Sequence, residues 1–508
     1  MRVFSNGRVY AFDPHDGSYS RSDGFIEEYG VIRSLQPEAA GSGVPSVDLK
    51  GGTVLPALSD AHVHLTDTGY LLGKRNLAGV RTYDDFCARI AELPRDAFVM
   101  AGNYDESSWV DERLADAAAI ERNFPDSLAM LVRIDGHSCI VNRRTFAWLA
   151  LDAGTQGIER TPAGTVSGKL FLEANWQAQA RFMAALPQSL KRHAERTATE
   201  LAISRGALHL HVQFVGFARE DYAKEIEALQ QLPAAKWYPK VCEPDPALAK
   251  SLNLPYVGGD VFLDGSIGSC TAAVSDAYRV TVRPGEAPGT GQLRYTDEQV
   301  YRYFSSAENL GISAGVHAIG DRAIEQCIST WERVLENSPS PRNRHFIEHF
   351  EVATQAHIER CASLGIMLSM QPAFDLLWGG VGSMYEKRLG TARMRSMNAL
   401  GRAFRAGVTV CGGDDSPVCE LSPLLGMQAC VEHHEPQERL TAQEALTMYT
   451  YNVAKLGHVE HLTGRLAPGL AADFVVLDKD PLDGAKFTDC TVMQTWRDGV
   501  KVFDNASF

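Results

Sequence analysis

Between residues 57 and 464, short apolar runs suited to β-strands alternate with amphipathic runs suited to helices, and this alternation constrains the fold most. A helix between successive strands brings those strands together in parallel, because antiparallel neighbours need only a tight turn. Eight strand-like runs stand out, at 60–65, 97–105, 207–215, 260–265, 313–320, 344–350, 366–372 and 408–415. Segments such as DRAIEQCISTWERVLEN and TARMRSMNALGRAFRAG supply the helices between them. Eight such units favour an α/β fold closed into a (β/α)8 TIM-like barrel over an open sheet. A further strand-like run, WYPKVC at 237–242, precedes the fourth unit and competes with it. The stretch 105–200 is too long for one crossover and is expected to form a mostly helical insertion, placed as a lid over the barrel mouth.

The two chain ends have a different character. Residues 1–56 and 465–508 consist of short alternating runs broken by Gly, Pro and Asp, the pattern of β-hairpins. They are expected to pair into one small β-sandwich domain, with the 57–464 barrel inserted between them.

A net charge of −14 without a basic stripe argues against a nucleic-acid partner. The opening MRVFSNGRVYAFDP has neither the n-region nor the h-region of a signal peptide, and no run of 18 apolar residues occurs. A cytoplasmic, soluble protein acting on a small molecule, with no membrane partner, is the expectation. The ten cysteines are scattered singly, which suits reduced, buried thiols; Cys270 and Cys411 lie nearest the motifs below.

Alternate residues of a strand face the same way, so Asp60, His62 and His64 in DAHVHL are expected to point into the barrel at its C-terminal end. A lone His-x-His is a weak metal signal. Three further residues strengthen it: His317 in SAGVHAIG, His349 in RHFIEHF and Asp415 in VTVCGGDD each stand at the C-terminal end of a different strand. Imidazoles with a carboxylate suit a divalent ion, Zn²⁺ first, then Mn²⁺, Fe²⁺ or Co²⁺. His209 and His211 share a strand face and suit packed, hydrogen-bonded positions; His433 and His434 suit the surface.

The string LPALSDAHVHL resembles the first-strand signature of the amidohydrolase superfamily. The segments IDGHSCIVNRRTF, FLDGSIGSCTAA, VHAIGDRAI, RHFIEHFE, LSMQP and GGDDSPV resemble its family 3 branch, which includes N-substituted formamide deformylases. The tail from LTAQEALTMYTYNVAKLG to GRLAPGLAADFVVLDKDP looks like the superfamily's return into a small β domain. The resemblance implies His62, His64, His317 and His349 as metal ligands and Asp415 as catalytic aspartate and ligand, with Asp414 where Ser is usual. Many members carry a bridging, carboxylated lysine where this chain has Asp260, with Lys240 in WYPKVC as the substitute, so one ion and two both remain open. Asp264, Arg322, Trp109 and His137 are the candidate substrate-binding residues, and dimers are common among enzymes of this resemblance.

The chemistry that follows is metal-assisted hydrolysis of a C–N bond in an amide, an N-formyl compound or a cyclic amide, with Asp415 moving the proton and His349 or His317 stabilising the oxyanion. A deaminase acting on an amidine carbon is the alternative, and an inactive scaffold of the same fold comes third.

Overall fold

In this computed structural model the described residues are 1–508 apart from 112, 233, 282–286, 338–342 and 506–508. The middle of the chain forms two parallel sheets. In spatial order, one holds Lys236–Val241, Ala207–Phe214 and Leu58–Val63; the other holds Tyr256–Val257, Ser313–Ala318, Phe346–His349, Met367–Met370 and Val410–Gly412. Their edges meet twice. Gly258 N donates to Val241 O at 2.8 Å, and at the other seam Asp415 N donates to His62 O and His64 N to Ser416 O, both at 2.9 Å. All eight residues of Ala207–Phe214 are buried, as a parallel strand covered on both faces requires.

Two of the eight expected strands change place. Phe98–Tyr104 leaves the parallel set and pairs with Leu128–Arg133 in a separate five-stranded sheet. The run at 260–265 contributes only one bridge, Phe262 to His317, while Lys236–Val241 and the two-residue Tyr256–Val257 take the vacated positions. Gly258 and Gly259, at φ 87 and 114, turn the chain out of extended geometry just before that run.

The 105–200 stretch departs from the helical expectation. Beside its helices it contributes Leu128–Arg133, Ser138–Val141, Ile158–Arg160 and Val166–Phe171 to the five-stranded sheet. The run LAMLVR is rich in helix-forming residues, but five of its six positions are buried against strand neighbours, and that packing overrides local propensity.

The chain ends meet in a six-stranded sheet, where Phe474–Leu477 runs antiparallel to Thr53–Pro56. A four-stranded sheet from residues 2–48 shares its core: the rings of Phe4, Phe25, Phe474 and Trp496 sit 4.7–5.3 Å apart. Lys236 Nζ ties the parallel sheet to these ends, 2.8 Å from both Asp473 and Asp498. Among the described residues no helix is long and apolar enough to cross a membrane.

Candidate metal centre

The strand Leu58–Val63 is buried along its whole length, so His62 has no freedom of direction. Its Nδ1 lies 2.9 Å from Glu348 Oε2. A carboxylate there fixes the hydrogen on Nδ1 and turns the Nε2 lone pair to the opposite side. That Nε2 is 3.2 Å from Asp260 Oδ2 and 3.3 Å from Asp415 Oδ1. His64 caps the short helix Leu65–Tyr70, and its Nε2 meets the same two oxygens at 3.1 and 3.2 Å. His349 Nδ1 is fixed by Gln371 Oε1 at 2.8 Å, leaving Nε2 3.7 Å from Asp260 Oδ1. Asp260 therefore turns one oxygen to His62 and His64 and the other to His349.

His317 lies beside this group, its ring 4.5 Å from that of His349 and its Nδ1 3.4 Å from Asp264 Oδ1. His349 and Asp415 have left-handed backbones, at φ 73 and 51. Non-glycine residues hold such angles only where the surroundings enforce them. The twist at His349 also lets it and its strand neighbour Glu348 both serve the same interior.

Electrostatics follow from this crowding. Burial opposes charge on His64, but Asp260 and Asp415 outweigh it and lift its pKa to about 10. Burial likewise opposes charge on His62, which Asp260, Glu348 and Asp415 nonetheless hold well above the usual range. Burial disfavours the Asp260 and Asp415 carboxylates, yet the adjacent histidines keep both below the ordinary carboxylate value.

The donor set fits a divalent cation. His62 Nε2, Asp260 Oδ1, Asp415 Oδ1 and both ring nitrogens of His317 are buried without a hydrogen-bond partner. Metal–ligand bonds of about 2.0–2.1 Å put tetrahedral ligand atoms about 3.3 Å apart, which matches the 3.1–3.3 Å separations between the imidazole nitrogens and carboxylate oxygens here. Two overlapping triplets share His62: one with His64 and Asp415, one with Asp260 and His349.

Other sequence candidates are placed differently. Lys240 is buried behind His62, and its Nζ donates to Glu348 Oε1 at 2.5 Å and Ala61 O at 2.8 Å. Of the two bridging candidates, Asp260 is the one whose carboxylate lies against the histidine Nε2 atoms. Asp60 accepts from the backbone N–H groups of His62 and Asp414, and Asp414 accepts from Ser422 N; neither faces the histidines. Asp264 accepts from the backbone N–H groups of Ala273, Ile319 and Gly320, which fixes the loops on either side of it. Arg322 hydrogen-bonds Thr290 away from the cluster, and Trp109 packs against Phe86 in the core of the insertion, so neither reaches the cavity described below. Cys411 donates to Asn452 O, and burial pushes its thiol up to about 12.

His433 and His434, expected at the surface, fold back onto Asp375 of the helix Pro372–Trp378. His433 Nδ1 accepts from Glu435 N, so its Nε2 carries the hydrogen, 3.3 Å from Asp375 Oδ1. That neutral tautomer leaves no lone pair on Nε2 for an ion.

The cluster forms the floor of a 310 Å³ cavity to which His64, Asp260, His317, His349 and Asp415 all contribute. The insertion supplies a wall, where His137 stands between Trp176, Phe262 and His317 at ring distances of 5.2–5.5 Å.

The sequence profile of the amidohydrolase family matches residues 46–503, nearly the whole chain. The chain belongs to the amidohydrolase family. Two curated relatives match over most of their length. LONG AFTER FAR-RED 3 of Arabidopsis thaliana is 26% identical, with 99% of this chain and 91% of the relative covered. The N-substituted formamide deformylase of Arthrobacter pascens is 25% identical, with 92% of each covered. Among solved structures, an uncharacterised metal-dependent hydrolase from Pyrococcus horikoshii superimposes with a TM-score of 0.74 at 22% identity, over 96% of this chain and 99% of that one.

In this amidohydrolase-family chain two side chains at the cluster escape motif reading. Glu348 immediately precedes His349, yet nothing in RHFIEHF alone says that a buried carboxylate will link Lys240 to His62. The available signal was the pair itself: a lysine and a glutamate inside two apolar strands satisfy burial only by meeting. Gln371 in LSMQP, which fixes His349, carried no such signal.

Proposed function

We propose that this amidohydrolase-family chain is a metal-dependent hydrolase that cleaves a C–N bond in a small organic amide, N-formyl or cyclic amide compound. The observation that carries the reading is the convergence of the Nε2 atoms of His62 and His64 on Asp260 and Asp415 at the floor of the cavity. The likeness to an N-substituted formamide deformylase supports the bond class. The architecture we propose is a (β/α)8 barrel over 57–464, with its 105–200 insertion, and a small β-sandwich from 1–56 and 465–508. The parallel pairing and both hydrogen-bonded seams support the barrel.

His62, His64, Asp260 and Asp415 would hold one ion, Zn²⁺ by donor chemistry, and His349 and His317 offer a second position across Asp260. When bound, such an ion polarises a carbonyl and brings the pKa of water to about 7. The protein's own groups do the rest. Asp415, facing both the cluster and the cavity, takes the proton of the attacking water and delivers it to the departing nitrogen. Whichever of His349, oriented by Gln371, and His317 holds no ion stabilises the developing oxyanion.

Metal analysis of the purified protein, with amide hydrolysis assayed before and after chelation, tests this. We expect at least one ion per chain and loss of activity on chelation and in His62→Ala. A metal-free protein whose activity survives His62→Ala overturns the reading.

A further inference from the structure

A second cavity, of 210 Å³, lies where the insertion meets the helix Met384–Leu389. Two regular elements build its sides. On the antiparallel strands Ser138–Val141 and Val166–Phe171, Phe171 stands opposite Ser138 and Lys169 opposite Ile140, so one sheet face presents all four. The spacing i, i+3, i+4 puts Met384, Lys387 and Arg388 on one face of the helix, which forms another side. Among the described residues, no member of the metal cluster lines this cavity. Arg133 borders both it and the cavity above the metal floor. Met384 also borders a smaller cavity of 30 Å³, which Phe374, Trp378, His349 and Asp415 line as well.

The charge in the 210 Å³ cavity is one-sided, although the chain carries 63 acidic residues against 49 Lys and Arg. Five cations line it, with the carboxylates of Glu106 and Asp111. Two of the five are already engaged: Arg133 by Asp105, Glu106 and Asp135 at 2.7, 3.0 and 2.8 Å, and Arg113 by Asp84 at 3.4 Å. Lys169, Lys387 and Arg388 have no carboxylate partner among the described residues. Arg388 Nε is also buried without a hydrogen-bond partner. A guanidinium nitrogen shut away from water costs free energy until an acceptor reaches it. Asp111 has the opposite need. One of its oxygens accepts from Tyr83 N at 2.9 Å, while the other is buried with no donor.

We propose that this cavity is a ligand site distinct from the metal centre, and that it takes the phosphate monoester of a short polyol. A phosphate monoester carries about −1.5 to −2 charges at pH 7 and three acceptor oxygens, which matches three unpaired cations better than a carboxylate does. The Arg388 fork holds two of those oxygens, and the Lys169 and Lys387 ammoniums neutralise the rest of the charge. A hydroxyl on the ligand's body supplies the donor that Asp111 lacks. At about 10–15 Å³ for each water-sized group, 210 Å³ holds a phosphate with a short polyol chain. The proposal stands apart from the hydrolase reading, because the two sites share no ligating residue.

Calorimetric titration of the full, metal-loaded chain at low salt tests it with glycerol 2-phosphate, methyl phosphate and glycerol. Glycerol 2-phosphate should bind with a Kd below about 1 mM, methyl phosphate more weakly, and glycerol not at all. Arg388→Met and Lys169→Met should each weaken glycerol 2-phosphate by about tenfold or more. Lys387→Met, at an exposed position that does not threaten the fold, should weaken it too. Asp111→Ala should remove the preference over methyl phosphate. His62→Ala, which disables the metal floor, should still bind glycerol 2-phosphate as the wild type does. Loss of binding in His62→Ala would put the phosphate on the metal centre and overturn the proposal. So would no binding by the wild type, undiminished binding in all three cation variants, or methyl phosphate or glycerol binding as tightly as glycerol 2-phosphate.

Discussion

Of the single side chains, Glu348 bears the most weight for its size. It is fully buried between the Lys240 ammonium and the His62 ring, so it neutralises one and orients the other. Glu348→Gln keeps the shape but leaves Lys240 without an anion in the interior. We expect a loss of about 3–5 kcal/mol in denaturant unfolding and a 10–100-fold weaker metal affinity, read by chelator competition. The pH dependence has a definite sign. Burial alone would raise the Glu348 pKa, but Lys240 and His62 draw it down to about 2 from an ordinary 4.5. A carboxyl lowered on folding adds stability that is complete above its unfolded value and lost as pH falls through the folded one. Metal-free protein should therefore lose about 3 kcal/mol from this group between about pH 4.5 and 2, and Glu348→Gln should flatten that slope. Unfolding curves at pH 6 and 2 measure it. His62, His64, His317, His349 and Asp415 were legible in sequence because they stand at or just beyond the ends of strands in the parallel sheets, whereas Glu348 became visible only once Lys236–Val241 was known to lie near Phe346–His349.

Of the elements that sequence misplaced, backbone geometry decided the 260–265 run, while packing decided Leu128–Arg133. The 260–265 run has the composition of a strand, yet Gly258 and Gly259 bend the chain, and Asp260 arrives at the cluster from a loop. A Cβ on Gly258 would stand 2.1 Å from Gly315 O of the neighbouring strand, at a φ of 87. Gly258→Ala should therefore lower stability by about 1–3 kcal/mol or more. It should also weaken metal binding, because Asp260 follows two residues later. An unchanged melting temperature and metal affinity would show that the bend does not place Asp260. The helix Pro372–Trp378 is held by side chains from a distant part of the chain. Asp375 is clamped by His433 and His434 from after the helix Pro423–Glu432, and on the same helix Phe374 and Trp378 line the smaller cavity. Asp375→Asn is expected to raise KM more than it lowers kcat, since it loosens a cavity wall and touches no reacting atom.

Over the whole molecule, the ends of the chain and its middle share charged contacts. Lys236, at the start of the parallel strand Lys236–Val241, holds Asp473 and Asp498, and His209 lies 3.3 Å from Asp473. The end sheet itself needs both termini, because Phe474–Leu477 pairs with Thr53–Pro56 and its Phe474 completes the aromatic core of Phe4 and Phe25. The β character of the termini was legible in sequence, but this cross-link was not, since Lys236 and Asp473 lie 237 residues apart. Coupling of this kind makes metal binding a property of the whole fold. A ligand that binds only the native state stabilises it by about 2.7 kcal/mol at a hundred times its Kd. Calorimetry of the metal-free chain should show one unfolding transition, moving to higher temperature as Zn²⁺ is added. His62→Ala and Asp260→Asn should remove that shift. In Lys236→Ala the end sheet loses its anchor, and a second transition that ignores metal should separate from the first. If the wild-type chain already melts in two steps, with one indifferent to metal, the ends and the metal-bearing middle are independent and the charged contacts between them do not couple the fold.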